Sequence, residues 1–265
     1  MPKAPVTGPP NSLDRIVVVL VATRNSLNIG AAARAMSNFG FTQLRLVRPW
    51  DPSFQEAREE AARSAVGAGD LLASAQVFPT VAEAVAGCTL VLGTTAVTAG
   101  GRRDLLHPLD TLAESAERVR EHLQNPEAQV AILFGSEKTG LSNDDLSHCH
   151  RLLRIPTREE HISMNLGQAV AICLYEFVRT GSDTEELPLD AAAPAPASAG
   201  EVERLTQMIL EALQASGYIA PGAEAATEEK LRRQLRRFTL TRHDAQLALG
   251  MARQILWKLK PPDSR

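Results

Sequence analysis

The sequence predicts an α/β protein built on a mostly parallel β-sheet with helices on both faces. Short runs that are apolar at every position, such as Ile16–Val21, alternate along the chain with segments of helical periodicity. A strand is apolar on both sides when helices cover both faces of a parallel sheet. Regular alternation of strand and helix is typical of doubly wound sheets.

Six strands and the helices between them are expected in the first two thirds of the chain. The expected strands are 16–21, 43–47, 76–78, 89–93, 130–134 and 152–155. The main expected helices are 29–38, 56–65, 81–86, 112–123 and 166–179. We expect Asn28 to cap the first helix and Gly40 to end it. Ser142 and Asp145 resemble a capping box, which predicts a further short helix.

The last third of the chain differs in composition. Between 180 and 200 it is rich in Asp, Glu, Pro, Ala and Ser, which indicates a linker. Helical periodicity then returns in three segments, 202–216, 228–238 and 244–258. We therefore divide the chain into a disordered tail (1–13), an α/β domain (14–180), a linker (181–200) and a small helical C-terminal domain (201–265).

Composition limits the classes of protein that the chain can belong to. It has 265 residues, 44% of them hydrophobic, enough for one large core and a smaller unit. No apolar run approaches the roughly 20 residues needed to span a bilayer, and no signal peptide is evident, so we expect a soluble cytoplasmic protein. Cys88, Cys149 and Cys173 form no C-x-x-C pair, so we expect reduced, packed thiols and no metal site, even at His148-Cys149-His150.

Charge gives a mixed indication of nucleic-acid binding. The net charge is -3, whereas proteins that bind nucleic acids usually carry a basic surface. Four arginines nevertheless fall at spacings of three and four in one predicted helix, and would form a positive ridge suited to phosphates: Arg232, Arg233, Arg236 and Arg237. The alternative is a solvated, salt-bridged surface helix, because Glu228 and Glu229 lie one turn away.

Three polar or glycine-containing loops follow predicted strands. The first holds Asn28-Ile29-Gly30 with Arg34, the second is 134–141 with Glu137, and the third runs from Ile155-Pro156 to Ser163-Met164-Asn165-Leu166. In open α/β sheets, ligands bind at the carboxyl ends of strands, so the three loops indicate one ligand crevice. The chain has no G-x-G-x-x-G motif or P-loop, which weakens dinucleotide and nucleoside-triphosphate alternatives.

In order and spacing, these motifs resemble those of the SPOUT superfamily of RNA methyltransferases (SpoU/TrmH class) over nearly the whole chain. The resemblance is strongest to the TrmJ-type tRNA (cytidine/uridine-2′-O-)-methyltransferases. It implies S-adenosyl-L-methionine as methyl donor, tRNA as partner, a homodimer, and nucleotide 32 of the anticodon loop as target (Cm32/Um32). It also implies a C-terminal trefoil knot, which is too rare in proteins to be proposed on physical grounds.

The resemblance also assigns roles to residues of this chain. It implies that Arg34 faces the ribose 2′-hydroxyl of the target nucleotide, and that Glu137 contacts the cofactor pocket or Asn28. The implied catalytic residues are Arg34, Asn28, Glu137, Ser163 and Asn165. The implied cofactor-binding residues are Thr94, Thr95, Ala96, Gly135, Ile155, Ile162, Ser163 and Met164. We add Arg102 and Arg103 to the four helical arginines as expected RNA contacts, and we expect the helical C-terminal domain (201–265) to bind RNA.

Simpler readings of the same residues stay open. Asn28 is equally typical of a turn, Gly30 of close packing, Glu137 of a solvated surface and Asn165 of an ordinary helix cap. Among functions, a ribosomal RNA 2′-O-methyltransferase and a non-catalytic knotted tRNA-binding protein remain as alternatives.

The chemistry implied by the resemblance is in-line transfer of the sulfonium methyl group to the ribose oxygen without a metal. Arginine stays protonated in proteins, so we assign Arg34 to orientation and to stabilisation of the developing alkoxide, and leave the proton acceptor open. For the homodimer, we expect the helix 166–179 to bury Val170, Leu174 and Phe177 at a twofold interface.

Overall fold

We describe the protein from a computed structural model. The structure describes residues 12–49, 54–96, 107–158, 160, 163–179 and 194–259. Most of the predicted tail and linker lies outside these residues, as do Arg102, Arg103 and Ile162.

The core of the protein is a seven-stranded sheet in the order β3-β2-β1-β6-β4-β7-β5, in which every neighbouring pair is parallel. Its strands are β1 Ile16–Val21, β2 Gln43–Val47, β3 Gln76–Phe78, β4 Leu90–Thr94, β5 Leu109–Thr111, β6 Val130–Phe134 and β7 Arg151–Arg154. All residues of the central strands β1 and β6 are buried, as their apolar composition requires. The predicted fold class is confirmed. Strand β5 was not predicted, because it has three residues and carries the polar Asp110.

Seven helices accompany this sheet in the described part of the chain. They are α1 Ser26–Phe39, α2 Gln55–Ala62, α3 Gly69–Ser74, α4 Val81–Ala84, α5 Leu112–His122, α6 Asn143–Ser147 and α7 Leu166–Arg179. Three more follow, α8 Ala199–Ala215, α9 Glu224–Arg237 and α10 Arg242–Leu259. The expected capping box of α6 is present, with both hydrogen bonds between Ser142 and Asp145. The short helix α3 was not predicted.

Helices cover the sheet on both faces. On one face, the core includes Ile29 and Met36 of α1 and Leu112 of α5. On the other, Val81 of α4 and Leu146 of α6 pack against the sheet together with Ala199. A third, smaller core joins α8, α9 and α10.

The apolar face of α7 belongs to the first of these cores. Val170 and Leu174 are fully buried and Phe177 is 4% exposed within a single chain, where α7 packs beside α1. The prediction that these three side chains form a twofold interface is therefore wrong. An apolar helix face looks the same in sequence whether it covers its own sheet or a partner subunit.

Helix α1 begins one turn earlier than predicted. Its N-cap is Asn25, whose side chain accepts a hydrogen bond from the backbone N–H of Leu27. Asn28 lies inside the first turn, so its predicted capping role is wrong. Gly40 ends the helix in the left-handed conformation (φ 80°), as expected.

The C-terminal helices are attached directly to the sheet domain. The backbone N–H groups of Ala199 and Gly200 donate to the carbonyls of Cys88 and Ala86, at 2.6 and 2.8 Å. A Cβ atom at Gly200 would lie 3.0 Å from the Ala86 carbonyl oxygen, so glycine suits this close approach. Helix α8 starts at Ala199, and the last residues of the predicted linker are therefore packed. In the described part of the chain, no helix has the length and apolar character needed to cross a membrane.

Candidate active site

A cleft of about 350 Å³ lies at the carboxyl ends of β4, β6 and β7. Its walls come from three segments that are distant in sequence but adjacent in the sheet, as expected for a parallel α/β fold. The expected cofactor-binding residues within the described chain all line it: Thr94, Thr95, Ala96, Gly135, Ile155, Ser163 and Met164. Its volume lies in the range of small-molecule sites, about 300–1,000 Å³.

Two polar groups at the end of β4 already form hydrogen bonds within the protein. The Thr94 hydroxyl donates to the carbonyl of Leu133 at 2.9 Å, and the backbone N–H of Thr95 donates to the carbonyl of Leu153 at 3.0 Å. These bonds tie the end of β4 to its neighbours β6 and β7. They make this wall of the cleft rigid and leave ligand contacts to its other atoms.

The loop after β6 is a tight turn that closes on itself. The N–H of Gly140 donates to the carbonyl of Ser136 at 2.9 Å, and the hydroxyls of Ser136 and Thr139 lie 2.9 Å apart. A Cβ atom on Gly135 would lie 2.1 Å from the carbonyl carbon of Gly140, and Gly140 itself has a φ of +65°. Both glycines are therefore required by the turn itself, before any ligand is considered.

One hydrogen-bonded chain joins the three loop motifs beside this cleft. The Asn28 amide donates to Oε1 of Glu137 at 2.7 Å, and the Asn165 amide donates to Oδ1 of Asn28 at 3.0 Å. In the sequence, Asn28 lies 109 positions from Glu137 and 137 positions from Asn165. Asn28 is free to make both bonds because Asn25 caps the helix. We call Glu137, Asn28 and Asn165 the cleft network.

The order of donors and acceptors in the cleft network is fixed. Oδ1 of Asn165 accepts the backbone N–H of Gly167 at 2.9 Å at the start of α7, which turns the amide nitrogen of Asn165 towards Asn28. Asn28 then accepts with its oxygen and must donate with its nitrogen. The group that receives the Asn28 amide N–H must be an acceptor, and a carboxylate accepts at both oxygens. Glu137 therefore suits this end of the network, and it also lines the cleft.

The remaining residues of the first motif have different surroundings. Arg34 is exposed on α1, about 9 Å along the axis from Asn28. Within the described chain it makes no hydrogen bond or ion pair and does not line the cleft of its own subunit. Gly30 packs α1 against α2, since a Cβ atom there would lie 1.9 Å from the carbonyl oxygen of Ala61. The close-packing explanation of Gly30 is thus the one that the geometry supports.

The predicted ridge of four arginines does not form. Arg232 and Arg236 are 6% and 1% exposed, because this side of α9 packs against α6 and α8. Arg232 binds Glu203 and Glu228, while Arg236 donates to the carbonyl of Ala199 at 3.0 Å and lies 3.6 Å from Glu203. Burial lowers the pKa of Arg236 to about 10.

Only part of that helix remains accessible to RNA. Arg233 is mostly buried and pairs with Glu229, whereas Arg237 is exposed. This burial could not be predicted from the sequence, because Glu203, the carboxylate that Arg232 and Arg236 share, lies on another helix. Arg232 and Arg236 are therefore enclosed by the packing of α9 against α6 and α8, and their contact with RNA stays a prediction.

The three cysteines are buried and form no disulfide, and His148 and His150 are buried beside Cys149. Cys88, Cys149 and Cys173 are free thiols, fully buried as expected. Nδ1 of His150 accepts the backbone N–H of Val91 at 3.0 Å, and burial lowers the pKa of His148 to about 3. Among the described residues, no group of three or more His, Cys, Asp and Glu side chains could hold a metal ion.

Comparison with known proteins identifies this architecture. Residues 15–175 match the model of the SpoU rRNA Methylase family. The tRNA (cytidine/uridine-2′-O-)-methyltransferase TrmJ of Yersinia pestis (strain Pestoides F) is 35% identical over 254 residues, which cover 95% of this chain and 93% of that protein. The protein of the same name from Sodalis glossinidius (strain morsitans) is 34% identical over 252 residues, with 94% of each chain covered.

Solved structures agree with these sequence relatives. TrmJ from Z. mobilis ZM4 superposes with a TM-score of 0.76 at 32% identity, covering 90% of this chain and 98% of that one. A putative methylase family protein from Neisseria gonorrhoeae reaches a TM-score of 0.63 at 27% identity, over 77% of this chain and 98% of its own. The chain belongs to the SpoU family of S-adenosylmethionine-dependent RNA methyltransferases, and within it to the TrmJ-type tRNA (cytidine/uridine-2′-O-)-methyltransferases.

Proposed function

We propose that the protein methylates the ribose 2′-oxygen of nucleotide 32 in the anticodon loop of tRNA. The observation that carries the proposal is the cleft network, which joins all three motifs beside one ligand-sized cleft. The relatives that cover nearly the whole chain are named as tRNA cytidine/uridine 2′-O-methyltransferases. The choice of nucleotide 32 rests on the resemblance of the motifs. A tRNA substrate would place the enzyme in the cytoplasm.

The residues of the cleft fit S-adenosylmethionine. The turn 135–140 and the end of β4 are held by their own hydrogen bonds, so the cleft is shaped without a ligand. The residues proposed to hold the cofactor are Thr94, Thr95, Ala96, Gly135, Ile155, Ile162, Ser163 and Met164. When bound there, the cofactor supplies an electrophilic methyl group, so the protein needs mainly to align the ribose hydroxyl and exclude water. We also propose the trefoil knot of the family, with the segment before α7 passing through a preceding loop.

We assign the cleft network to positioning. Asn165 caps α7 and holds Asn28, which in turn holds Glu137 at the wall of the cleft. The three loops are thereby fixed relative to one another, and Ser163 is held two residues before the cap. Precise placement of reactants is worth several kcal/mol of barrier, which gives a function to a network that is itself solvent-accessible.

Arg34 is proposed to act in the cleft of a partner subunit. The supporting observations are that it is exposed and lies away from the cleft of its own chain. Helix α7 also exposes Ile172 (38%) and Tyr175 (50%), and the Tyr175 ring lies 6.0 Å from that of Phe39 at the end of α1. We propose this exposed face as the homodimer interface. A protonated guanidinium would there orient the ribose hydroxyl and stabilise the developing alkoxide.

Methyl transfer to unmodified tRNA, with mapping of the modified ribose, tests the proposed function. We expect 2′-O-methylation at nucleotide 32, and at least about a hundredfold lower turnover for Arg34→Ala with cofactor affinity unchanged. Arg253→Ala, an exposed arginine on α10, is the matched control. Absence of any turnover would favour a non-catalytic tRNA-binding protein.

Mixing two variants of reduced turnover tests the partner-subunit assignment. If Arg34 serves the other subunit, an Arg34→Ala protomer combined with a Glu137→Ala protomer contains one intact site, and activity returns. If Arg34 serves its own cleft, both sites of the mixed dimer carry a defect, and mixing restores nothing.

A ribosomal RNA substrate is the second candidate. It is favoured by the description of the matching family model, which names rRNA methylases. The same assay with ribosomal RNA distinguishes the two, since we expect methylation of tRNA and none of ribosomal RNA. We also propose that Arg102 and Arg103 contact the RNA. Arg102→Gln should then weaken tRNA binding, and unchanged affinity would contradict this.

A further inference from the structure

A second cavity, of about 310 Å³, lies at the opposite end of the sheet from the candidate active site. Its walls include Leu90 and Arg151, the first residues of β4 and β7, whereas the candidate cleft is built at the carboxyl ends of the same strands. Helix α5 and the end of α9 complete it. We call this cavity the arginine pocket.

The arginine pocket carries a surplus of positive charge. Four arginines line it: Arg118, Arg151, Arg236 and Arg237. Asp110 pairs with both Arg151 and Arg118, and Glu121 is the one carboxylate among the lining residues. A third carboxylate, Glu114, lies near Arg151 and Arg118. Arg237 has no ion-pair partner within the described chain, so the positive charge of the pocket is not fully balanced there. Arg236 also lies 3.6 Å from Glu203, but Glu203 is shared with Arg232.

Hydrogen-bond donors are left over at the same place. Nε and Nη1 of Arg236 are buried without a partner among the described residues. Both ring nitrogens of His107, which precedes the pocket residue Pro108, are buried without one as well, and in a neutral ring one of the two is a donor. Arg237 is exposed and has no hydrogen-bond or ion-pair partner within the described chain. Because a buried donor without an acceptor is unfavourable, the arrangement calls for an acceptor that the described residues do not supply.

The nearby histidines are neutral at pH 7. Burial, with contributions from Arg233 and Arg237, lowers the pKa of His107 to about 4, and burial also lowers the pKa of His122 and His150. The positive charge of the pocket therefore comes from its arginines. Guanidinium groups match the geometry of phosphate oxygens better than any other side chain.

We propose that the arginine pocket binds a backbone phosphate of the RNA substrate, remote from the site of methyl transfer. This partner rests on the proposed function, since the enzyme must hold RNA. Arg237 would meet the phosphate from the exposed rim, and Arg236 would supply charge from the inner wall. A substrate held at both ends of the sheet extends well beyond its target loop, as folded tRNA does. The pocket thus selects a complete tRNA over an isolated anticodon stem-loop.

The first experiment tests the pocket with inorganic phosphate alone. Thermal unfolding is followed in increasing phosphate, with chloride holding the ionic strength constant. We expect a rise in Tm that saturates for the wild type, because ligands that bind only the folded state stabilise it. Arg237→Gln should weaken the apparent affinity about tenfold or more. Arg253→Gln, an exposed arginine outside this pocket, should behave as the wild type.

The second experiment asks whether RNA supplies the phosphate. The affinity for tRNA and for an isolated anticodon stem-loop is measured against salt concentration. Losing one phosphate contact should flatten the slope of log affinity against log salt by about 0.7–0.9. We expect this change in Arg237→Gln with tRNA but not with the stem-loop, and no change in Arg253→Gln.

The outcomes separate the two proposals. Saturable phosphate binding that Arg237→Gln weakens, combined with an unchanged salt slope for tRNA, would overturn the RNA assignment and leave a site for free phosphate. No saturable phosphate effect and no change of slope would overturn the pocket altogether. A wild type that binds tRNA but methylates no nucleotide contradicts the proposed function while leaving both tests of the pocket readable.

Discussion

The protein contains two polar clusters assembled from distant parts of the sequence, and they differ most in their exposure to solvent. In the cleft network, Glu137 and Asn165 are exposed and Asn28 is half-buried. In the cluster of Glu203, Arg232 and Arg236, both arginines are buried between α6, α8 and α9. We call this second group the interhelix cluster. Exposed polar contacts add little to stability, whereas a buried charge that loses its partner is strongly destabilising.

This difference separates structural from functional polar residues. The interhelix cluster holds the C-terminal helices to the sheet domain, since Arg232 also donates to the hydroxyl of Ser147 in α6 at 3.1 Å. The cleft network contributes little to that attachment and lies where three loops meet a ligand-sized cleft. Four experiments test and extend the contrast.

The largest effect is expected for Glu203→Gln. It keeps the shape of the side chain but leaves Arg232 and Arg236 buried without their shared counter-charge. We expect the free energy of unfolding to fall by about 3–5 kcal/mol, measured by urea denaturation. Glu229→Gln, which breaks the peripheral pair with Arg233 on the same helix, should cost less than about 1 kcal/mol. Equal costs for the two variants would contradict the distinction.

Glu137→Ala should have the opposite profile. Its carboxylate accepts two hydrogen bonds at an exposed site, from the Asn28 amide at 2.7 Å and from the backbone N–H of Arg24 at 3.4 Å. We therefore expect stability within about 1 kcal/mol of the wild type. Turnover should fall about ten- to a hundredfold, because loss of a hydrogen bond to a charged group costs about 1.5–3 kcal/mol. Single-turnover methyl transfer measures the second quantity. If the substitution lowers stability more than turnover, the network is structural.

The third prediction concerns His107, whose buried ring has no hydrogen-bond partner among the described residues. Its folded-state pKa of about 4 lies below the unfolded value of 6.5, so the unfolded chain binds the proton first as the pH falls. Stability should therefore decrease between pH 6.5 and 4, by about 2 kcal/mol at pH 5 from this residue. His107→Leu should remove that part of the pH dependence, whereas replacing the exposed His243 with Leu should leave it intact. Parallel pH profiles for the wild type and His107→Leu would refute the assignment.

The smallest effects are expected for the two asparagines that cap helices. Asn25 caps α1 and Asn165 caps α7, so alanine at either position should cost about 1 kcal/mol of stability. Turnover should fall only in Asn165→Ala, because Asn165 alone of the two also donates to Asn28. Calorimetry and the methylation assay together test this pair, and equal turnover in both variants would exclude a special role for Asn165.

The sequence predicts some features of this protein well because they depend on local composition. Strands β1 and β6 are continuous apolar runs, and their bounds match the predicted ones. Asn25 and Asn28 lie within one helical turn of each other, and both are suitable N-cap residues. Composition therefore does not show which of them caps α1. The partners of Asn28, and Glu203 as a partner of Arg232, lie in other elements. The exposure of Asn28 and Arg232 is therefore decided by tertiary packing. The apolar stripe of α7 was likewise assigned to the wrong partner.

The two backbone hydrogen bonds that Ala199 and Gly200 make to Cys88 and Ala86 have a consequence for biosynthesis. When the sheet domain emerges from the ribosome, these two carbonyls and the apolar surface around Val85 are complete, but the residues that cover them have not yet been translated. The nascent domain therefore carries an open patch until α8 is made. A chain stopped before residue 199 should be more prone to aggregation than the full protein, even though its motifs for methyl transfer are all present.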